Sequence, residues 1–257
     1  LDVLISGGVY DRAIRTGDAL LLREEYTDAQ RAPVHLRLAR ARCGEAQRDR
    51  LIAGHIGRQI AEHYRYAASY GLALTAADLA NMGQAFEWQQ RFADALEHYE
   101  KAIARGIERR SDLRKHALTL HRRLGTPAED LNQLLDSFMA EIEDHRLDLR
   151  LWAIEQKLDV LEELGRLDEA STLLVRNADR FRDSDLRDSF NYIEALLLQK
   201  TGNYEEAETY LRMIRNRVGL DDEAEAKTGW LLGRVILNDG GPQRPLEALS
   251  FFRDVVD

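Results

Sequence analysis

The sequence predicts an all-α protein built as a linear array of about seven stacked helical hairpins, and three observations carry that prediction. Only 4 of the 257 residues are proline, and long stretches hold neither proline nor glycine; a proline in a helix interior costs about 3 kcal/mol. Ala, Leu, Arg and Glu dominate while β-branched residues are sparse, so local propensity favours helix. The third observation is a short pattern that recurs every 35 to 46 residues along the whole chain.

The pattern is a glycine, a large residue two places on, and a small residue five places on. It reads Gly8-Val-Tyr10-Asp-Arg-Ala13, Gly165-Arg-Leu167-Asp-Glu-Ala170 and Gly202-Asn-Tyr204-Glu-Glu-Ala207. Gln90-Arg-Phe92-Ala-Asp-Ala95 has the same form, and Pro245-Leu-Glu-Ala248 repeats its second half. Gly44 with Asp49 and Gly125 with Asp130 fill the gaps. Each glycine is suited to close a helix, because it accepts the left-handed conformation that ends one. The acidic residues before the alanines favour the positive end of the next helix. A small alanine lets two helices approach, and a large residue four places later, such as Tyr99, Leu174, Leu211 or Phe252, fills the space one turn along. One hairpin cannot bury its apolar stripe alone, so hairpins of this period stack.

The interval between Asp49 and Ala95 is the longest. It holds Leu51, Ile52, Ile56, Ile60, Tyr64 and Ala67 at helical spacing and predicts one overlong second helix from Glu45 to about Tyr70. Asn238-Asp-Gly-Gly-Pro242 reads as a turn between two helices.

The segment Leu79…Met82-Gly83…Phe86…Ala95…Tyr99…Ala102 resembles the tetratricopeptide repeat over a full unit. Gly83 falls on that family's small position where the two helices of a hairpin cross, and Ala95 and Ala102 on its other small positions. The 165–174 and 202–211 stretches match the second half of the unit but carry Leu158 and Ala195 where Gly83 stands. The resemblance covers most of the chain. It implies a right-handed α-solenoid, residues 1–257 forming a single array. Its structural positions are Gly83, Ala95, Gly165, Ala170, Gly202, Ala207 and Ala248.

Composition narrows the function. Forty-five acidic against 36 basic residues give a net charge of −9, which disfavours a nucleic-acid surface built on clustered Lys and Arg. No apolar run approaches the ~20 residues a membrane-spanning helix needs, so no membrane contact is expected in this segment and the cytoplasm is the default setting. The single Cys43 admits neither an internal disulfide nor a multi-cysteine zinc site and reads as a small buried thiol. No phosphate-binding loop, dinucleotide fingerprint, nucleophile elbow or HExxH motif is present. Seven histidines, at 35, 55, 63, 98, 116, 121 and 145, are scattered and read as surface or partly buried helix residues. The carboxylate runs Glu162-Glu163 and Asp221-Asp222-Glu223 read as solvated faces or helix starts. Neither catalysis nor a cofactor nor a metal is expected.

The resemblance implies that the first helices of the hairpins line a concave surface holding a segment of a protein partner. Helical spacing puts Ala80, Gln84 and Glu87 on that surface, then Lys115, Thr119 and Arg122, then Trp152, Glu155 and Asp159, then Ser189 and Tyr192. The set is mixed in sign, and the lysine–asparagine clamp with which some family members hold a C-terminal carboxylate is not matched. Lys115 and Arg122 are expected to pair with Glu155 and Asp159 on the neighbouring helix. Trp152 and Tyr192 serve either inter-repeat packing or binding. The leading expectation is therefore a scaffold or adaptor binding a protein or peptide in this groove. The alternative is a structural spacer of a larger multi-repeat protein. The chain starts at Leu1 and stops at Asp257 within an expected helix, which suggests an excerpt. Apolar residues at its end, Phe251, Phe252, Val255 and Val256, are expected to meet further repeats or a second copy.

Overall fold

The computed structural model describes residues 1–216, 222–240 and 244–253. Among these residues all regular structure is helical, fourteen helices with no strand. They divide into two compact units, Leu1–Thr126 and Pro127–Asp257.

The first unit holds α1 (Asp2–Ser6), α2 (Tyr10–Leu21), α3 (Asp28–Asp49), α4 (Gly54–Ser69), α5 (Ala76–Trp88), α6 (Phe92–Ala104) and α7 (Arg110–Arg123). The second holds α8 (Ala128–Glu141), α9 (Leu147–Glu163), α10 (Leu167–Phe181), α11 (Arg187–Lys200), α12 (Tyr204–Arg215), α13 (Asp222–Asp239) and α14 (Arg244–Arg253). Within each unit a helix packs chiefly on its neighbours in sequence, and first helices of successive hairpins also touch, α3 with α5 and α11 with α13. That is the contact pattern of stacked helical hairpins.

The recurring pattern does what its chemistry implies. Tyr10, Phe92, Leu167 and Tyr204 each open a helix. Ala13, Ala95, Ala170, Ala207 and Ala248 are all buried. Gly165 and Gly202 adopt left-handed φ of 69° and 83°. The amides just beyond them reach back to close the preceding helix, Arg166 N to Leu161 O at 2.8 Å and Asn203 N to Leu198 O at 2.8 Å. Gln90 does the same job with φ 60° without being glycine.

Gly83 is needed for close approach. A Cβ there would lie 2.5 Å from the Tyr99 ring and 3.1 Å from the Ala95 carbonyl oxygen. Ala195, at the corresponding place on α11, is fully buried.

Three repeat positions and one helix differ from the sequence reading. Gly44 does not end a helix: α3 runs through it to Asp49 and terminates at Arg50, φ 54°. Gly44 is small because the Tyr10 ring of α2 packs on it, at 2.5 Å from where a Cβ would stand. The predicted single helix from 45 to 70 is therefore two, α3 and α4, separated by residues 50–53. The closest approach on α4 is made at Gly57, where a Cβ would meet the Ala85 carbonyl oxygen of α5 at 2.3 Å, and not at the exposed Asp49. Asp130 is exposed too, and its neighbour Leu131 is buried in its stead. A glycine pattern cannot tell a helix stop from a close approach, because both exploit the missing side chain.

At the other end, Phe251 and Phe252 are half-buried. Phe252 lies against Gly233, and the guanidinium of Arg215 sits 4.6 Å from the Phe251 ring. Val255, Val256 and Pro242 fall outside the described residues.

Candidate functional site

The second unit brings predicted groove residues together. α9, α11 and α13 are the first helices of three successive hairpins, and two cavities lie along them. One, of about 430 Å³, is lined by Glu155 from α9, Asp188, Ser189 and Tyr192 from α11, and Glu223 and Lys227 from α13. The other, of about 270 Å³, is lined by Glu155, Asp159 and Glu162 from α9 and by Tyr192 and Lys200 from α11. Its apolar floor includes Leu158, Ile193 and Leu197. Glu155 and Tyr192 belong to both cavities, which makes them one groove.

The helical period explains the placement. Glu155, Asp159 and Glu162 are four and three residues apart, as are Asp188 and Tyr192, and Glu223 and Lys227, at four; each set falls on one face of its helix. The adjoining faces of α9 and α11 carry the core, with Ile154, Leu161 and Phe190 buried together and Ile193 reaching from that core to the floor of the smaller cavity. Lys227 pairs with Glu223 one turn away at 2.5 Å, and Lys200 pairs with Glu162 across α9 and α11. Tyr192 is half-buried; burial raises its pKa, against the opposing pull of Lys227 and Arg234.

Trp152 takes a different place. It is half-buried with its ring edge-on to Phe138 of α8, centroids 6.0 Å apart, and it does not line either cavity. That ring contact packs α9 against α8 of the preceding hairpin. Beside it on α9, Lys157 is buried and paired with Asp136 of α8.

The first unit uses its first helices differently. The Gln84 side-chain oxygen accepts a hydrogen bond from Gln47 of α3 at 2.6 Å. Glu87 accepts the Tyr99 hydroxyl proton at 2.7 Å within the hairpin. Ala80 is half-buried. Lys115 and Arg122 are half-buried on α7, where Thr119 donates to the Lys115 carbonyl at 3.0 Å.

A polar network missed in the sequence runs through α3, α4 and α5. Asp78, almost fully buried, caps α5 together with Thr75 and accepts two 2.7 Å hydrogen bonds from Arg40. Burial pushes the Asp78 pKa up, but the bonds from Arg40 and Thr75 outweigh it and the net shift is downward. Asn81 donates to the Tyr64 hydroxyl at 3.2 Å. His35 and His63 share a 2.7 Å Nδ1–Nδ1 hydrogen bond, one ring donating and the other accepting, and Tyr66 lies 4.0 Å from His35. Burial, then the neighbouring His35 and Arg42, push His63 down to about 4. Cys43 is buried, and burial alone raises its thiol to about 12.

The capping box Thr75-x-x-Asp78 was a readable signal. The carboxylates Asp188 and Glu223 carried a weaker one, their spacing from Tyr192 and Lys227. Among the described residues no three His, Cys, Asp or Glu side chains cluster as a metal site would. No described helix is long and apolar enough to cross a membrane.

No family model and no curated protein matches the sequence. Solved structures do match the fold. The chain is similar to the C-terminal part of a TPR repeat-containing protein from Cytophaga hutchinsonii at 11% identity and a TM-score of 0.69, covering 99% of this chain and 93% of that one. It is also similar to a tetratricopeptide repeat protein from Parabacteroides merdae at 14% identity and a TM-score of 0.57, covering 87% and 99%. The fold is thus a TPR-like helical repeat.

Proposed function

We propose that this chain is a protein-interaction scaffold that holds a segment of a partner protein in the groove of its second unit. One observation carries the reading. Three successive first helices present their non-core faces side by side around two adjoining cavities that share Glu155 and Tyr192. Stacked hairpins make surfaces of this kind, extended and built from repeated elements. The half-buried Tyr192 at the junction has the chemistry of a binding anchor, an apolar ring with a polar tip. No catalytic step is proposed, because the titratable groups along the groove lie beside one another without a nucleophile–base arrangement.

The test is a site-specific photo-crosslinker introduced at Ser189, an exposed residue of the larger cavity, in the full chain exposed to a lysate of its source. A defined partner segment crosslinked there, and displaced when Tyr192→Ala is added, supports the scaffold reading. Crosslinks unaffected by Tyr192→Ala sink it.

A further inference from the structure

We infer that a second site, on another face of α11, binds an extended peptide segment carrying a carboxylate and a cationic side chain on either side of an aliphatic residue. The site is separate from the Tyr192 groove and stands independently of the reading given to that groove.

A cavity of about 260 Å³ lies among α10, α11 and α12. Arg187, Asn191 and Glu194 line it from α11, and their spacing of four and three residues sets them in one row on that helix. Tyr210 and Met213 line it from α12, and Phe181 from the end of α10. The side chains of Arg187, Asn191, Glu194 and Tyr210 are all half-buried, yet none makes a hydrogen bond or an ion pair among the described residues. The Nε of Arg187 is itself buried and unmet. Polar groups taken out of water are normally paired, and the neighbouring charges obey that rule. Arg182, at the edge of the same cavity, leans on Asp179, and Arg212 of α12 holds both Glu208 and Glu247.

The row reads guanidinium, amide, carboxylate over about 10 Å of helix. A free amino acid, whose two charges sit on one carbon, is too short to meet both ends. An extended chain is long enough: its alternate side chains share one face, and the first and fifth residues stand about 13 Å apart. The Arg187 fork can donate two bonds to a carboxylate. Asn191, in the middle, offers a donor and an acceptor, the complement of a peptide group. Phe181 and Phe190, stacked with centroids 4.7 Å apart, back the cavity, and the exposed Met213 at its rim adapts to an aliphatic side chain. Burial, then Glu206, raises the Glu194 pKa, so its carboxylate gains from an arriving cation. Burial, then Glu194 and Glu206, raise that of Tyr210, which keeps its hydroxyl proton to donate. A uniformly acidic segment would meet Glu194 and a uniformly basic one Arg187, and either mismatch carries a cost.

The test uses three end-capped fluorescent peptides, Asp-Ala-Leu-Ala-Lys, Asn-Ala-Leu-Ala-Lys and Asp-Ala-Leu-Ala-Gln, titrated against the full chain by fluorescence anisotropy. Wild type should bind the first at least about fivefold more tightly than either of the others. Arg187→Gln should lose the preference for Asp over Asn and keep that for Lys over Gln, and Glu194→Gln should do the reverse. Tyr192→Ala should leave both preferences intact. An independent reading, which needs neither charge variant to fold, is a photo-crosslinker in place of the exposed Met213; it should capture the first peptide. Equal binding of the three peptides by wild type would overturn the inference, as would preferences that survive in both charge variants or the absence of any crosslink at Met213. Loss of binding in Tyr192→Ala would place the peptide in the other groove, which overturns the second site and leaves the scaffold reading standing.

Discussion

The two units use the same hairpin pattern to different ends. In the first, the helices α3, α4 and α5 turn polar side chains toward one another: Arg40 to Asp78, Gln47 to Gln84, Asn81 to Tyr64, His35 to His63. In the second, α9, α11 and α13 leave polar side chains around open cavities, and several of the ion pairs joining neighbouring hairpins are solvent-exposed, such as Arg166 with Glu129 and Arg180 with Asp144. Buried polar networks fix register when every member is satisfied. Exposed ion pairs fix little. The difference teaches that a repeat's small residues determine how helices stack, while the polar residues between them determine whether a face is closed or open.

Breaking the closed face should cost most. Asp78→Ala removes a helix cap and leaves Arg40 without its bidentate partner, so a loss of about 3 kcal/mol or more is expected in chemical denaturation. A loss below about 1 kcal/mol would mean the network is not what holds the first unit together.

Acid should act next, and through the same face. The pKa of His63, near 4, is below the ordinary histidine value of about 6.5, so the neutral ring is the form that folding favours. The unfolded chain then binds more protons between those values. Stability from this site is full above about pH 6.5 and lost as pH falls toward 4, by up to about 3 kcal/mol. Arg31 faces His35, and Arg42 and Asp18 face His63, with the two arginines resisting protonation and Asp18 favouring it. Thermal melts across this range should show a flatter slope for His35→Leu/His63→Leu than for wild type; parallel slopes would refute the role of the pair.

Gly83→Ala tests the stacking itself. Its new methyl would meet the Tyr99 ring, whose hydroxyl is held by Glu87, and overpacking of this kind costs about 1–3 kcal/mol. Denaturation at unchanged stability would show that α5 and α6 can slide apart freely. The open face should be far more tolerant. Glu162→Ala breaks the exposed pair with Lys200, and a change below about 1 kcal/mol is expected; a larger one would erase the contrast between the units. The smallest effect is a gain. Gln90→Gly places glycine where φ is 60°, and up to about 1 kcal/mol of added stability is expected from relief of left-handed strain.

Much of the fold was legible in particular residues. Gly165 and Gly202 marked helix ends, and Ala95, Ala170 and Ala207 marked buried crossings, because size and backbone freedom act locally. Gly44 misled, since the contact it serves is with Tyr10, far away in sequence. The candidate site was half legible. Glu155, Asp159 and Tyr192 follow from the period of α9 and α11, whereas Trp152 turned to Phe138, a choice between two faces that spacing leaves open.

By itself the sequence determined helicity, the hairpin period and the absence of familiar catalytic motifs, all properties of residue type at short range. Only tertiary structure decided which polar side chains meet. Whether Asp78 is buried beside Arg40 or Glu155 lines a cavity with Tyr192 depends on packing between helices whose partners lie some 35 to 40 residues apart, and local propensity carries no information about contacts at that separation.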